Sequence, residues 1–533
     1  MTLVEEGVGQ GTARAKEEPP ANPIGPDLIT QAVRLRAPYR KGAQDHFSPT
    51  DPSPGLELTK NSHIARLVRN RKFQFLLILP NQIIFWMVIV LGVVGTVVPG
   101  LNFGTAITWY LWFCLVFVMM TVVGRAWCVM CPFGGFAEWI QRKTFWQRTQ
   151  KALGLGKKLP QPIARYGFLL SVGTFLLLTW IEEFFNIAGP GAPHDTSLMV
   201  LGIVASALIF FLLFERRTFC RYFCPLTALI GSVGAMGSAA GFRTKDRQVC
   251  IDCKTKDCMR GGEEGYGCPW YTWPGSADSN LSCGLCSECY KACPSGNVGL
   301  FIQKPLTSVI APVRRRVDVA ISITLLWGLV LYQQFNATNV YGTVDNWLNA
   351  KMHFPQYPNP VDYIGFIGLF ALATLGLIWV IGRVNIRKDI SVQEPKTYGT
   401  LLSAKTKYTK YLLPIAYGLI PVVGADYFAR QLPKLLKHLP RLFVSIGAWF
   451  GHGNTHYSLY NDHLLSVPQI VNVQVAVIAL GALASLWAMW KITNRELISV
   501  SRSALLVRVS TLASVVLCGG VAIGLYIIMH GAS

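Results

Sequence analysis

Nine apolar runs, each near the length that crosses a lipid bilayer, constrain this chain more than any other feature. They lie at about 76–98, 105–123, 166–186, 198–214, 317–332, 361–382, 411–429, 468–490 and 507–529. A spanning helix needs about 20 apolar residues, and a helix suits hydrocarbon because it satisfies its own backbone there. Composition agrees: of 533 residues 51% are hydrophobic and 14% charged, against roughly 25% charged in soluble chains. The predicted fold is mainly α, a polytopic helical membrane protein of about nine spans.

The net charge of +21 has a topological pattern. Segment 142–165 carries Arg142, Lys143, Arg148, Lys151, Lys157, Lys158 and Arg165; segment 215–316 opens with ERRTFCRYFC and closes with PVRRR; and 383–410 holds Arg383, Arg387, Lys388 and further lysines. Segments 99–104 and 187–197 have no Lys or Arg, and 333–360 has only Lys351. Because Lys and Arg gather in cytoplasmic loops, the N-terminus and residues 215–316 read as cytoplasmic, in an inner (plasma) membrane. A basic excess spread over many short loops gives no nucleic-acid surface. The stretch around Lys434, Lys437 and Arg441 reads as an interfacial helix or a half-span. Residues 1–59 lack the apolar core of a signal peptide and, being rich in Gly, Pro and Glu, are expected to be disordered to about residue 55. The expected organisation is 1–59 disordered, 60–240 a four-span domain, 241–311 a ferredoxin-type insert, and 312–533 a membrane domain of about five spans.

Cysteine usage gives the insert its character. Of fourteen cysteines, twelve fall in four clusters between residues 128 and 293, while Cys114 and Cys518 stand alone in apolar runs, where Cys packs as a small hydrophobe. The run CGLCSECYKACP places Cys283, Cys286, Cys289 and Cys293 at C-x2-C-x2-C-x3-C, followed by Pro294. That is the bacterial ferredoxin spacing for a [4Fe–4S] cluster. Upstream, Cys250, Cys253, Cys258 and Cys268-Pro269 repeat it in stretched form. Since the fourth Cys of each run crosses to the other cluster in two-cluster ferredoxins, one cluster is expected on Cys250, Cys253, Cys258 and Cys293. The second is expected on Cys268, Cys283, Cys286 and Cys289. C-x2-C pairs also build zinc ribbons, but the rhythm and the two Cys-Pro endings favour clusters.

Two further Cys-Pro motifs follow the ends of spans: Cys128 and Cys131 in GRAWCVMCPFG, and Cys220 and Cys224 in ERRTFCRYFCPLT. Together they could hold a third cluster or another metal, act as redox dithiols, or pack as small buried residues. Arg125, Arg217 and Arg221 beside them would favour thiolates. No C-x-x-C-H occurs, so covalent haem is not expected, and His452 and His456 form an isolated loop pair. Glu182, Glu183 and Asp426 lie at span ends. Intramembrane acids tend to be functional, and a quinol releases protons with its electrons, but the plainer reading, favoured for Glu182 and Glu183, places these acids at headgroup depth.

Over about residues 70–315 the chain resembles the membrane polyferredoxins of the NapH/NosR type, most specifically in GRAWCVMCPFG, CRYFCPLTALIG and CGLCSECYKACPSG. The membrane motif of that family is C-x3-C-P; the second copy fits it and the first is C-x2-C-P. The resemblance implies quinol-linked electron transfer toward a respiratory enzyme or its maturation system. The expected function is membrane electron transfer through two 4Fe–4S clusters, as in a quinol dehydrogenase subunit. The expected partners are the lipid membrane, quinone or quinol, and a respiratory or maturation redox protein. The alternative is an accessory factor for copper-enzyme assembly, because soft thiolates select Cu(I).

Overall fold

The computed structural model describes residues 55–96, 101–146, 153–164, 167–187, 194–277, 279–312, 315–354, 358–387, 409–449 and 464–531. The disorder expected for the N-terminus and the pair His452 and His456 fall outside them.

Nine helices among the described residues are long and apolar enough to cross a membrane. They are α1 (Phe73–Val94), α2 (Phe103–Val123), α3 (Gly167–Phe184), α4 (Asp195–Leu213), α5 (Val317–Phe335), α6 (Pro360–Asn385), α7 (Lys410–Gly447), α8 (Val467–Val500) and α9 (Ala504–Met529). Burial sorts them. In α5 and α7, 89% and 83% of the apolar window is buried, whereas α1, α3, α4, α6, α8 and α9 bury only 22–33%. The first two form the bundle's centre; the others turn apolar side chains such as Leu177, Leu372 and Leu480 outward, as lipid-facing helices do.

Small and polar residues set the close contacts. Asn102 caps α2 by accepting from Gly104 N (3.0 Å) and donates to the Gly92 carbonyl of α1 (3.0 Å). Ser197 of α4 donates to Val88 O at 2.9 Å. A Cβ on Gly92 would lie 1.8 Å from Ser197 Oγ, so glycine is what lets α1, α2 and α4 meet.

Between α4 and α5 lies a cap with a small antiparallel sheet in the order β1 (Leu56–Glu57), β3 (Val298–Ile302), β2 (Ala239–Thr244). Leu56 pairs with Ile302, and Phe242 with Leu300. The expected boundary at residue 59 is thereby corrected. Residues 56–60 belong to the cap because they cover the open edge of β3, where Leu300 N donates to Thr59 Oγ1 (3.2 Å) and Lys245 pairs with Glu57 (3.1 Å). The strand before the clusters likewise begins at Ala239, ahead of residue 241. One continuous apolar core joins Phe117 and Tyr427 of the bundle to Cys258 and Tyr290 of the cap.

The basic stretch around Lys434 is also corrected. It is neither an interfacial helix nor a half-span but the continuation of the central helix, in which Ile420–Trp449 runs unbroken through Pro433 and Pro440. Lys434 turns inward over the Trp109 ring at 4.4 Å, toward Glu182 at 4.0 Å.

Candidate metal centres

The two membrane-edge motifs form the same local device twice. Cys131 and Cys224 are both extended (φ −65°, ψ 121° and φ −60°, ψ 122°), as a residue before proline prefers. Each following proline starts a helix: Pro132–Arg142 after the first, Leu226–Val233 after the second. Each thiol therefore sits at a helix start, with the N–H of Gly134 directed at Cys131 and that of Leu226 at Cys224.

A buried ion pair brings the two devices together. Arg217, 1% exposed, donates through Nε (2.7 Å) and Nη2 (2.5 Å) to Glu138 Oε2, and through Nη1 to the Cys128 carbonyl (3.0 Å). Burial opposes the charge on Arg217, but the Glu138 carboxylate more than offsets it and holds the guanidinium protonated. The neighbouring Gln141 Nε2 ties the same helix to α4 by donating to Phe211 O at 2.6 Å. The approach is tight: a Cβ at Gly134 would lie 3.0 Å from Cys220 Sγ and 3.5 Å from Arg217 Nη1.

As a result Cys128, Cys131, Cys220 and Cys224 converge, each sulfur within electrostatic reach of the others. Burial, with the neighbouring sulfurs adding, pushes the Cys131 thiol up to about 12, Cys224 to about 11, and Cys220 well above its ordinary range. Bare thiols there keep their protons; a metal centre would displace them and compensate the charge. Arg125 is 3% exposed and donates through Nη1 to Leu281 O (2.6 Å), while its Nε and Nη2 and the Trp127 Nε1 are buried without a hydrogen-bond partner among the described residues. Unpaired buried donors beside four sulfurs suit an anionic group, and a thiolate-ligated iron–sulfur cluster is one.

In the cap the eight remaining thiols gather around Cys258, in the first expected quartet, and Cys289, in the second. Cys258 has Cys250, Cys253 and Cys293 within electrostatic reach, and Cys289 has Cys268, Cys283 and Cys286. Donors surround the sulfurs: Asn297 Nδ2 reaches Cys250 Sγ at 3.3 Å and Thr272 N reaches Cys268 Sγ at 3.3 Å. Leu285 and Ser287, flanking Cys286, both have positive φ (55° and 61°). Such strained backbone persists only where the surroundings require it, and here it wraps the chain around one point. Gly241 (φ +93°) passes so close to Cys283 that a Cβ would meet its sulfur at 2.8 Å. Among the described residues no three His, Cys, Asp or Glu side chains close on a single metal ion. A cubane asks for a wider spacing, since each thiolate holds a different iron.

The three quartets are contiguous. Cys258 of the first reaches Cys268 and Cys289 of the second. Arg217 faces both Cys286 of the second and Cys220 of the third. Trp270 fills the space between, its ring under Arg125 at 4.6 Å and pressed against Gly284 of the Cys283 loop. At one end, Cys253 and Cys293 are half-exposed, beside exposed Lys254, Thr255, Pro294 and Ser295.

At the other end lies a cavity of ≈160 Å³ inside the bundle, lined by all four membrane-edge cysteines and extending to Glu182, Glu183, Gln333, Arg430 and Lys434. Glu183 thus faces inward rather than toward the headgroups. Gln333 Nε2 donates to its Oε1 at 2.8 Å, and its Oε2 is buried without a partner among the described residues. Asp426 is fully buried and accepts from Gln334. Spacing rules could not find Glu138, Trp270 or Arg430, none of which belongs to a local motif, and gave no role to Gly134 at the end of the first Cys-Pro motif. The one available signal was Glu138 itself, a lone acid in an otherwise basic and apolar segment.

A family model described as a 4Fe-4S binding domain matches residues 105–155 and 196–240. These are the two stretches that carry Cys128 and Cys131, and Cys220 and Cys224. No curated protein and no solved structure matches the chain. The match and the nine spans together make this an iron–sulfur protein of ferredoxin type in a polytopic, mainly α-helical membrane body.

Proposed function

We propose that the protein carries electrons between the quinone pool and a soluble redox partner, through three 4Fe–4S clusters. The observation that supports this reading is the succession of cysteines from Cys128, Cys131, Cys220 and Cys224, which line an apolar cavity among the spanning helices, to Cys253 and Cys293 at the protein surface. Cys250, Cys253, Cys258 and Cys293 would hold the outermost cluster, Cys268, Cys283, Cys286 and Cys289 the middle one, and Cys128, Cys131, Cys220 and Cys224 the innermost. Bound clusters supply one-electron transfer without proton uptake, which splits a two-electron donor into single steps. The chain's own residues do the rest. Arg217 and Glu138 clamp the innermost quartet, Trp270 closes the gap to the middle one, and the apolar cavity admits a lipid-soluble ring. The surface around Cys253 and Cys293 is the docking point for the partner, with the cap on the cytoplasmic side of the inner membrane.

The reading is tested by adding a short-chain quinol to the purified, oxidised protein and following the cluster signals by EPR. Reduction to the extent reached with dithionite supports it; no reduction by quinol overturns it. Copper handover draws no support from the membrane-edge thiols, since Cys128 and Cys220 are 9% and 7% exposed and a delivery partner needs access to them.

A further inference from the structure

The cavity has two chemically different ends, and the difference has a direction. Ser171 of α3 stands at the cysteine end, donating to the Cys224 carbonyl at 2.7 Å. Glu183 lies twelve residues further along the same helix, about 18 Å at 1.5 Å per residue. The segments joining α2 to α3 and α4 to α5 carry the cap and the Cys-Pro devices. Glu183 is therefore at the end of the bundle away from every cysteine quartet.

The geometry points to Glu183 as the group that takes the protons of the quinol, and to their release on the face opposite the cap. This rests on the quinol reading above. A base must stand within hydrogen-bond reach of the proton it removes, whereas an electron can cross a wider gap to a cluster. The ring's hydroxyl therefore belongs at the Glu183 end. Gln333 fixes Oε1 of Glu183 and leaves the buried Oε2 as the open acceptor. The charged and titratable groups around it are Glu182 on α3, Arg430 and Lys434 on α7, and Tyr363 on α6. Arg430 is tied to the Gln333 carbonyl at 2.8 Å, and Lys434 leans toward Glu182, so neither is hydrogen-bonded to the acceptor oxygen.

The step balances. As one electron passes to an oxidised 4Fe–4S cluster, one O–H bond of the quinol breaks and one forms on the Glu183 carboxylate. The proton then leaves to water on the far face and the carboxylate is restored. A second passage completes the conversion of quinol to quinone, with two electrons sent toward the cap and two protons released away from it.

The test compares wild type, Glu183→Gln and Glu183→Asp in liposomes enclosing a pH dye. Dithionite-reduced EPR spectra should be the same in all three, which reports intact clusters. Quinol should reduce the Gln variant about 100-fold more slowly, the lower range for losing a general base, with the Asp variant in between. Time-resolved infrared difference spectra on quinol addition should show a transient protonated carboxyl band in wild type that is absent from Glu183→Gln, and wild-type protons should appear on the side away from the cap. Wild-type rates in Glu183→Gln, or protons released on the cap side, would overturn the assignment of Glu183. Failure of quinol to reduce wild type, with dithionite still effective, would instead remove the quinol reading on which it rests.

Discussion

In the cap, eight thiols are positioned by loops and helices of one or two turns within 44 residues of chain, from Cys250 to Cys293. Their backbone bends through left-handed Leu285 and Ser287, and polar donors such as Asn297 meet the sulfurs directly. At the membrane edge, four thiols separated by as many as 96 residues, Cys128 to Cys224, are positioned by helices. Two Cys-Pro turns deliver them, and a buried arginine–glutamate pair holds the turns against one another. The cap quartets should therefore tolerate changes in the bundle, whereas the inner quartet depends on a few long-range contacts. Each of the following substitutions is a way to break that contrast or sharpen it.

The largest effect is expected from Glu138→Ala. It leaves Arg217 charged and unpaired in a site where it is 1% exposed, a change that costs about 3–5 kcal/mol for a buried pair. The inner quartet should lose its iron while the cap keeps its own, so iron per chain should fall by about four, the content of one cubane. Loss of all iron would show that the two regions are not independent. Next is Gly134→Ala, whose Cβ would press on Cys220 Sγ at 3.0 Å. Overpacking of this kind costs about 1–3 kcal/mol, and the EPR signal of the inner cluster alone should shift.

The counterpart in the cap is Asn297→Ala, which removes the donor to Cys250 Sγ (3.3 Å) and to Thr244 Oγ1 (3.0 Å). Lost buried hydrogen bonds put the cost at about 1–3 kcal/mol. The potential of the outermost cluster should move while that of the inner one stays, as redox titration followed by EPR would show. The smallest effect is expected from Lys245→Ala, which frees Glu57 from a partner whose side chain is 40% exposed. Exposed pairs contribute at most about 1 kcal/mol, so β1 should gain protease sensitivity near Leu56 with no change in iron content.

The same contrast explains what could be read before the structure was known. The nine spans were legible because hydrophobic length is a local property, and the two cysteine runs of the cap because ferredoxin spacing is local too. The convergence of Cys128, Cys131, Cys220 and Cys224 was legible only as one of several open readings, since nothing in either Cys-Pro motif names the other. It depends on Glu138 meeting Arg217 across 79 positions. The segment around Lys434 misled for a related reason. Its charges and prolines are those of a surface helix, and only the placement of Glu182 and Trp109 opposite it makes burial tolerable. The pairing of Leu56 with Ile302 was hidden because a two-residue strand has no pattern of its own.

The most direct test of the central claim is a count of iron and acid-labile sulfide per chain in wild type and in Cys220→Ser. Three cubanes predict about twelve irons and twelve sulfides in wild type, falling to about eight of each in the variant. Equal counts in the two proteins, or zinc in place of iron, would contradict the proposal that the membrane-edge cysteines hold the innermost cluster of an electron path.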